Sequence, residues 1–135
     1  MFFVATAPGK DGRINLSPKG LDCLSVLDAN QIAFLDLAGS GNETAAHLLD
    51  NGRITLMFCS FSLKPLILRI YGKGRSVQPL DADWAQYSDL VKPRSTLTDM
   101  WQKQSEHYIE EYRLTKNKVS IDGLPTGIKP TLGDQ

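Results

Sequence analysis

Glycine, proline and asparagine clusters cut the first half of this chain into short apolar runs, and one interval between them has the length and pattern of a helix. Phe2 to Ala7 reads as a strand, and Pro8-Gly9-Lys10-Asp11-Gly12 as the turn of a hairpin. Arg13 to Ser17 alternates polar and apolar residues, as a half-buried strand does, and Pro18-Lys19-Gly20 is expected to end it. Cys23 to Leu27 and Gln31 to Leu37 are two further strands, separated by the turn Asp28-Ala29-Asn30. Arg53 to Phe61 and Leu66 to Val77 follow, with Gly72 and Gly74 suggesting a bend or bulge in the last. About six short strands with a single helical connection favour an antiparallel barrel over a parallel βαβ sheet.

The helical interval opens on the turn Gly39-Ser40-Gly41-Asn42-Glu43-Thr44. Ser40 and Glu43 have the spacing of a capping box, Leu48 and Leu49 would face a core, and Asn51-Gly52 is a good stop. Beyond the strands the composition shifts. Asp81 is placed to cap a helix bearing Trp84, Ala85, Leu90 and Val91, which Pro93 breaks. Asp99 to Lys116 predicts a second helix with Trp101, Tyr108 and Tyr112 on one side. Asn117 to Gln135, rich in Gly and Pro, reads as irregular.

A length of 135 residues fits one domain, and 41% apolar residues suffice for a core. Fifteen basic and fifteen acidic side chains give a formal net charge of zero, which provides no general attraction to nucleic acid or an anionic membrane. No apolar run approaches the roughly 20 residues that span a bilayer. Met1 to Pro8 lacks a basic leader, so a cytoplasmic location is expected. Cys23 and Cys59 each lie in an apolar run, as buried free thiols do, and no Cys/His spacing suggests a metal site.

Three polar groups bear on chemistry. Asn15, Ser17 and Lys19 alternate onto one strand face, suited to a phosphate or the polar edge of a flat ring, or simply to solvent. The turn before the helix is an anion cradle or a bare capped corner. It lacks the Lys-Ser or Lys-Thr of a Walker loop and the third glycine of a dinucleotide fingerprint. Arg53, Arg69, Lys73 and Arg75 read as solvated cations on outer strands, one of which could complete an anion site. No nucleophile stands with its base, so no catalytic residue is named; a chain of this kind takes its chemistry from a cofactor.

From Phe2 to Val77 the motifs FFVATAP, GRINLSPKG, NQIAFLDLAGSGNETAAHLLDNGRITLMF and KPLILRIYGKGRSV resemble the pyridoxamine 5'-phosphate oxidase-like family, the FMN-binding split β-barrel. The resemblance implies a mainly β single domain over residues 1–135: a six-stranded antiparallel split barrel at about 2–78, with helical and irregular additions over 79–135. It implies a homodimer with FMN at the subunit interface and an oxidoreductase acting on a small molecule. Deazaflavin or haem are the alternative cofactors, and a non-catalytic binding module or a degenerate dimeric barrel the alternative roles. Asn15, Ser17 and Lys19 then lie on the strand that faces the flavin and its phosphate. Asn42, Glu43 and Thr44 occupy the turn and helix start, where the family often places Ser-Arg-Lys on the phosphate.

Overall fold

The computed structural model describes residues 1–20, 22–37, 42–90 and 106–130. Alternation decides the first strand, β1 (Phe2–Thr6): Phe2, Val4 and Thr6 are buried, and Phe3 and Ala5 are half-buried on the other face. β1 pairs antiparallel with β2 (Asn15–Lys19), Thr6 opposite Asn15 and Phe2 opposite Lys19. The expected stop at Pro18 is not taken, and the strand runs on to Lys19. β2 is an edge strand bonded to β1 alone, where a residue without an N–H is tolerated.

β3 (Leu24–Val26) and β4 (Ile32–Phe34) form a separate hairpin. Its turn is closed by Leu27 N–H donating to the Gln31 carbonyl at 2.9 Å, and by Asn30 N–H donating to Asp28 Oδ1 at 2.7 Å. Helix α1 (Glu43–Asp50) leads to β5 (Arg53–Ser60), which pairs along its full length with β6 (Leu66–Lys73). Pairing is regular through Gly72, so no bulge forms there. Among the described residues six antiparallel strands are therefore present, as four in the order β2-β1-β5-β6 and two in β3-β4. The two sheets are not closed into one ladder. Each strand of the small hairpin has three residues, and Leu24, Ile32 and Phe34 pack against the large sheet through side chains instead.

The core lies between them. Phe2, Val4, Cys23 and Leu56 form its buried centre. The Phe2 ring stacks on Phe58 with centroids 5.4 Å apart and meets Phe34 edge-on at 5.9 Å. Cys23 and Cys59 are both free, and Cys59 is only half-buried because it sits on the opposite face of β5 from Leu56.

The face α1 buries is only partly the leucine face: Leu48 is half-buried beside Gly74. Thr44, Ala46 and His47 point inward, whereas Leu49 is 59% exposed. The helix is capped at Asn42 with no side-chain capping bond, so Glu43 is not a capping-box partner; Gly39, Ser40 and Gly41 lie outside the described residues. At the other end Asn51 and Gly52 N–H both donate to the His47 carbonyl, and Gly52 adopts φ +70°, the left-handed stop that its sequence promises.

The helix expected from Asp81 is instead two short 3₁₀ turns, Trp84–Gln86 and Ser88–Leu90. Asp81 is occupied elsewhere: its Oδ2 accepts Gln78 N–H at 2.8 Å and its Oδ1 pairs with Lys129 at 2.6 Å. Of the second predicted helix, α2 (Glu106–Lys116) is described, with Tyr108 and Tyr112 adjacent on one side; Val91 to Ser105, including Trp101, lies outside the described residues.

The segment after α2 has little regular structure, but it is tied down. Asn117, Ser120 and Thr126 are buried, and Val119 bridges to Pro125. Thr126 Oγ1 donates to the Asn117 carbonyl at 2.6 Å. Gln78 Nε2 donates to the Gly127 carbonyl at 2.9 Å, and Lys129 N–H returns to Gln78 Oε1 at 2.9 Å.

Candidate functional site

Strand register places Asn15, Ser17 and Lys19 on the same face as Phe2, Val4 and Thr6. Helix α1 covers the Thr6 end of that face with Thr44 and His47, one turn apart on its inward side. The result is a continuous polar chain. Ser17 Oγ donates to Asn15 Oδ1 at 2.8 Å, and Asn15 Nδ2 donates to Thr44 Oγ1 at 2.9 Å and to Thr6 Oγ1 at 3.2 Å. Thr6 Oγ1 lies 3.0 Å from His47 Nδ1.

Thr6 Oγ1 accepts from Asn15, and it donates to or accepts from His47 Nδ1 according to the imidazole tautomer. His47 Nε2 is fully buried and has no partner among the described residues. Both Asn15 donors and its acceptor are engaged within the protein, so Asn15 acts as a bracket between β2, β1 and α1. Ser17 has given its proton inward, and its free lone pairs can only accept from a ligand N–H or O–H.

The other sequence-predicted residues are held apart from this chain. Lys19 Nζ pairs with Asp36, just beyond β4. Asn42 Nδ2 donates to the Asn117 carbonyl at 2.9 Å, and Glu43 Oε1 accepts Ile121 N–H at 3.3 Å. The structure thus brings Asn15, Ser17 and Thr44 together and turns Asn42 and Glu43 toward the segment after α2. Thr6 and His47 belong to the network and were not singled out from the sequence. The signal available was the i, i+3 spacing of Thr44 and His47, which puts two polar side chains on the face of a helix that must cover a sheet.

The cations of β5 and β6 go elsewhere. Arg53 Nε donates to Asn51 Oδ1 and Lys73 Nζ to the Asn51 carbonyl, at the C-terminal end of α1, where the helix dipole favours positive charge. Arg75 pairs with Asp83, which holds its guanidinium above the usual range. Arg69 is exposed on the outer face of β6, opposite Met57. None of the contacts these four make reaches the start of α1.

The outer face of the large sheet carries the row Leu16, Ala5, Thr55 and Tyr71, with Leu16 62% and Tyr71 74% exposed. An open groove of about 390 Å³ lies along it, between Ile14, Arg53 and Tyr71. Among the described residues no group of His, Cys, Asp or Glu could hold a metal, and no helix is long and apolar enough to cross a membrane.

Chemically, the β2 face offers an acceptor at Ser17 beside a screened ammonium at Lys19. This pair suits the polar edge of a flat heterocycle carrying its own N–H. A family model described as pyridoxamine 5'-phosphate oxidase matches residues 1–120. The pyridoxamine 5'-phosphate oxidase family protein ustO of Aspergillus flavus is 44% identical over 89 residues, which is 64% of this chain and 36% of that protein. The present chain thus aligns with about a third of that relative's length. No solved structure matches. The motif order along β1 to β6 and the extent of the family match together show that the chain belongs to the pyridoxamine 5'-phosphate oxidase family.

Proposed function

We propose that the protein is a flavin-binding oxidoreductase acting on a small molecule, with the cofactor against the β2 face at the interface of a homodimer. The family commonly binds FMN. The observation that carries the proposal is the convergence of Asn15, Ser17 and Thr44 at the junction of β2 and the start of α1. A flavin supplies hydride or electron transfer when bound, and the chain supplies orientation. In this reading Ser17 Oγ accepts a ring N–H, and Lys19 faces the electron-rich edge. The donor set fits the ring; the charge at the helix start does not fit a phosphate dianion, since Glu43 lies in the first turn.

The dimer reading rests on the free edge of β2, which a second copy can reach beside Ser17 and Lys19; the outer sheet face, on the side away from those residues, adds exposed apolar side chains. Leu16, Ile67 and Tyr71 lie on that face and are each more than half exposed.

Fluorescence-quench titration of the purified protein with FMN tests the cofactor, and light scattering tests the dimer. Saturable binding and a dimer mass are expected. Ser17→Ala should weaken flavin binding by about fivefold, the loss of one neutral hydrogen bond. A colourless protein that takes up no added flavin would overturn the proposal.

A further inference from the structure

Two carboxylates set the field around the start of α1. Glu43 occupies the first helical position and is fixed there by Ile121 N–H. The next residue, Asp122, takes Arg13: its Oδ1 pairs with the guanidinium at 2.5 Å and its Oδ2 accepts Arg13 N–H at 2.5 Å. Asp36 takes Lys19. Both basic residues that flank β2 are therefore neutralised by acidic partners. The positive end of the α1 dipole is already answered by the Glu43 carboxylate. The Asn42 amide, which would otherwise offer donors at the cap, is committed to the Asn117 carbonyl.

A flavin's terminal phosphate carries close to two negative charges near neutral pH. Brought to this helix start, it meets a fixed carboxylate, and the nearby cation, Arg13, already has a partner. Coulomb repulsion from Glu43 opposes it, and the backbone N–H groups of the helix start offset that repulsion. The ring end of the site has no such conflict. Resting on the flavin reading above, we infer that this protein recognises the isoalloxazine ring and takes little affinity from a terminal phosphate, so that it accepts uncharged riboflavin about as well as FMN. Glu43 is the residue that sets this selectivity.

The test is a pair of titrations of flavin-free protein, one with riboflavin and one with FMN, on wild type, Glu43→Gln and Glu43→Lys. Wild-type dissociation constants for the two flavins should agree within about threefold. Glu43→Lys should tighten FMN by about tenfold or more while leaving riboflavin within about threefold, and added salt should erase the gain. Glu43→Gln should move the ratio in the same direction by less, and it keeps the side-chain shape if the lysine variant folds poorly. Wild type binding FMN more than about tenfold tighter than riboflavin overturns the inference, as does a ratio unmoved in both variants. Failure of wild type to bind either flavin overturns the flavin reading and this inference with it. That result is distinct from tight binding of FMN alone, which overturns the inference only.

Discussion

Asn15→Ala is the most informative single change, because Asn15 joins three elements through one side chain. It donates to Thr44 at 2.9 Å and Thr6 at 3.2 Å and accepts from Ser17 at 2.8 Å. Thr6 and Thr44 are only 4% and 6% exposed, so water cannot readily replace the lost donor at either oxygen. A neutral hydrogen bond contributes about 0.5–1.5 kcal/mol net, and a buried acceptor left without a donor costs about 1–3 kcal/mol. Allowing for partial rearrangement of the two hydroxyls, the loss should be roughly 2–4 kcal/mol. Ser17→Ala removes one bond at the wetter end of the chain and should cost about 0.5–1.5 kcal/mol. Urea unfolding reads both. With a slope of about 2 kcal/mol per M, Asn15→Ala should lower the midpoint by roughly 1–2 M, at unchanged slope. A cost below about 1 kcal/mol, or one equal to that of Ser17→Ala, would refute the bracket role.

Three further outcomes follow from the packing and the charges. Phe2→Ala removes a buried ring that touches both Phe34 and Phe58 and should cost about 3–5 kcal/mol by the same unfolding measurement. Gly52→Ala forces a side chain into φ +70° and should cost about 1–2 kcal/mol, while Gly52→Asn should cost clearly less, as thermal melts can show. The Asp50 carboxyl is held below the usual range by Gly9 N–H, then by Asn51; that of Asp81 by Lys129, then by Gln78 N–H. Both folded-state values lie below the unfolded ones, so their stabilisation is complete above the ordinary carboxylate range and is lost as pH falls through the lowered values. Hydrogen exchange around Gln78 and Lys129 should therefore quicken on acidification, and Asp81→Asn should flatten that dependence. An exchange profile independent of pH, after correction for intrinsic rates, would contradict it.

Much of the strand plan could be read because it depends on local chemistry. Alternation in Phe2–Thr6, the Asn51-Gly52 stop and the density of β-forming and apolar residues in β5 act over a few residues each. What escaped was decided by distant partners. Glu43 has the spacing of a capping box, yet its carboxylate is taken by Ile121 N–H. Asp81 could begin a helix, yet Lys129 and Gln78 hold it in a turn. His47 gives no signal as a lone histidine. Its place under Thr6 follows only once β1 and α1 are packed together. The same holds for the site: the β2 face was legible from period-two spacing, whereas the neutralisation of Lys19 and Arg13 required Asp36 and Asp122 to be brought across the fold.

The segment after α2 also bears on the order in which the molecule can be completed. Asn42 and Glu43 meet partners 75 and 78 positions further along the chain, and Arg13 meets one 109 positions away. The β1–β2 hairpin and the β5–β6 hairpin close locally and need none of these contacts. A growing chain can therefore assemble its sheet while the start of α1 still faces water. The last contacts to form are those of highest loop-closure cost. Refolding should show this as a late step, seen as slow protection of the Ile121 amide after the sheet amides are already protected.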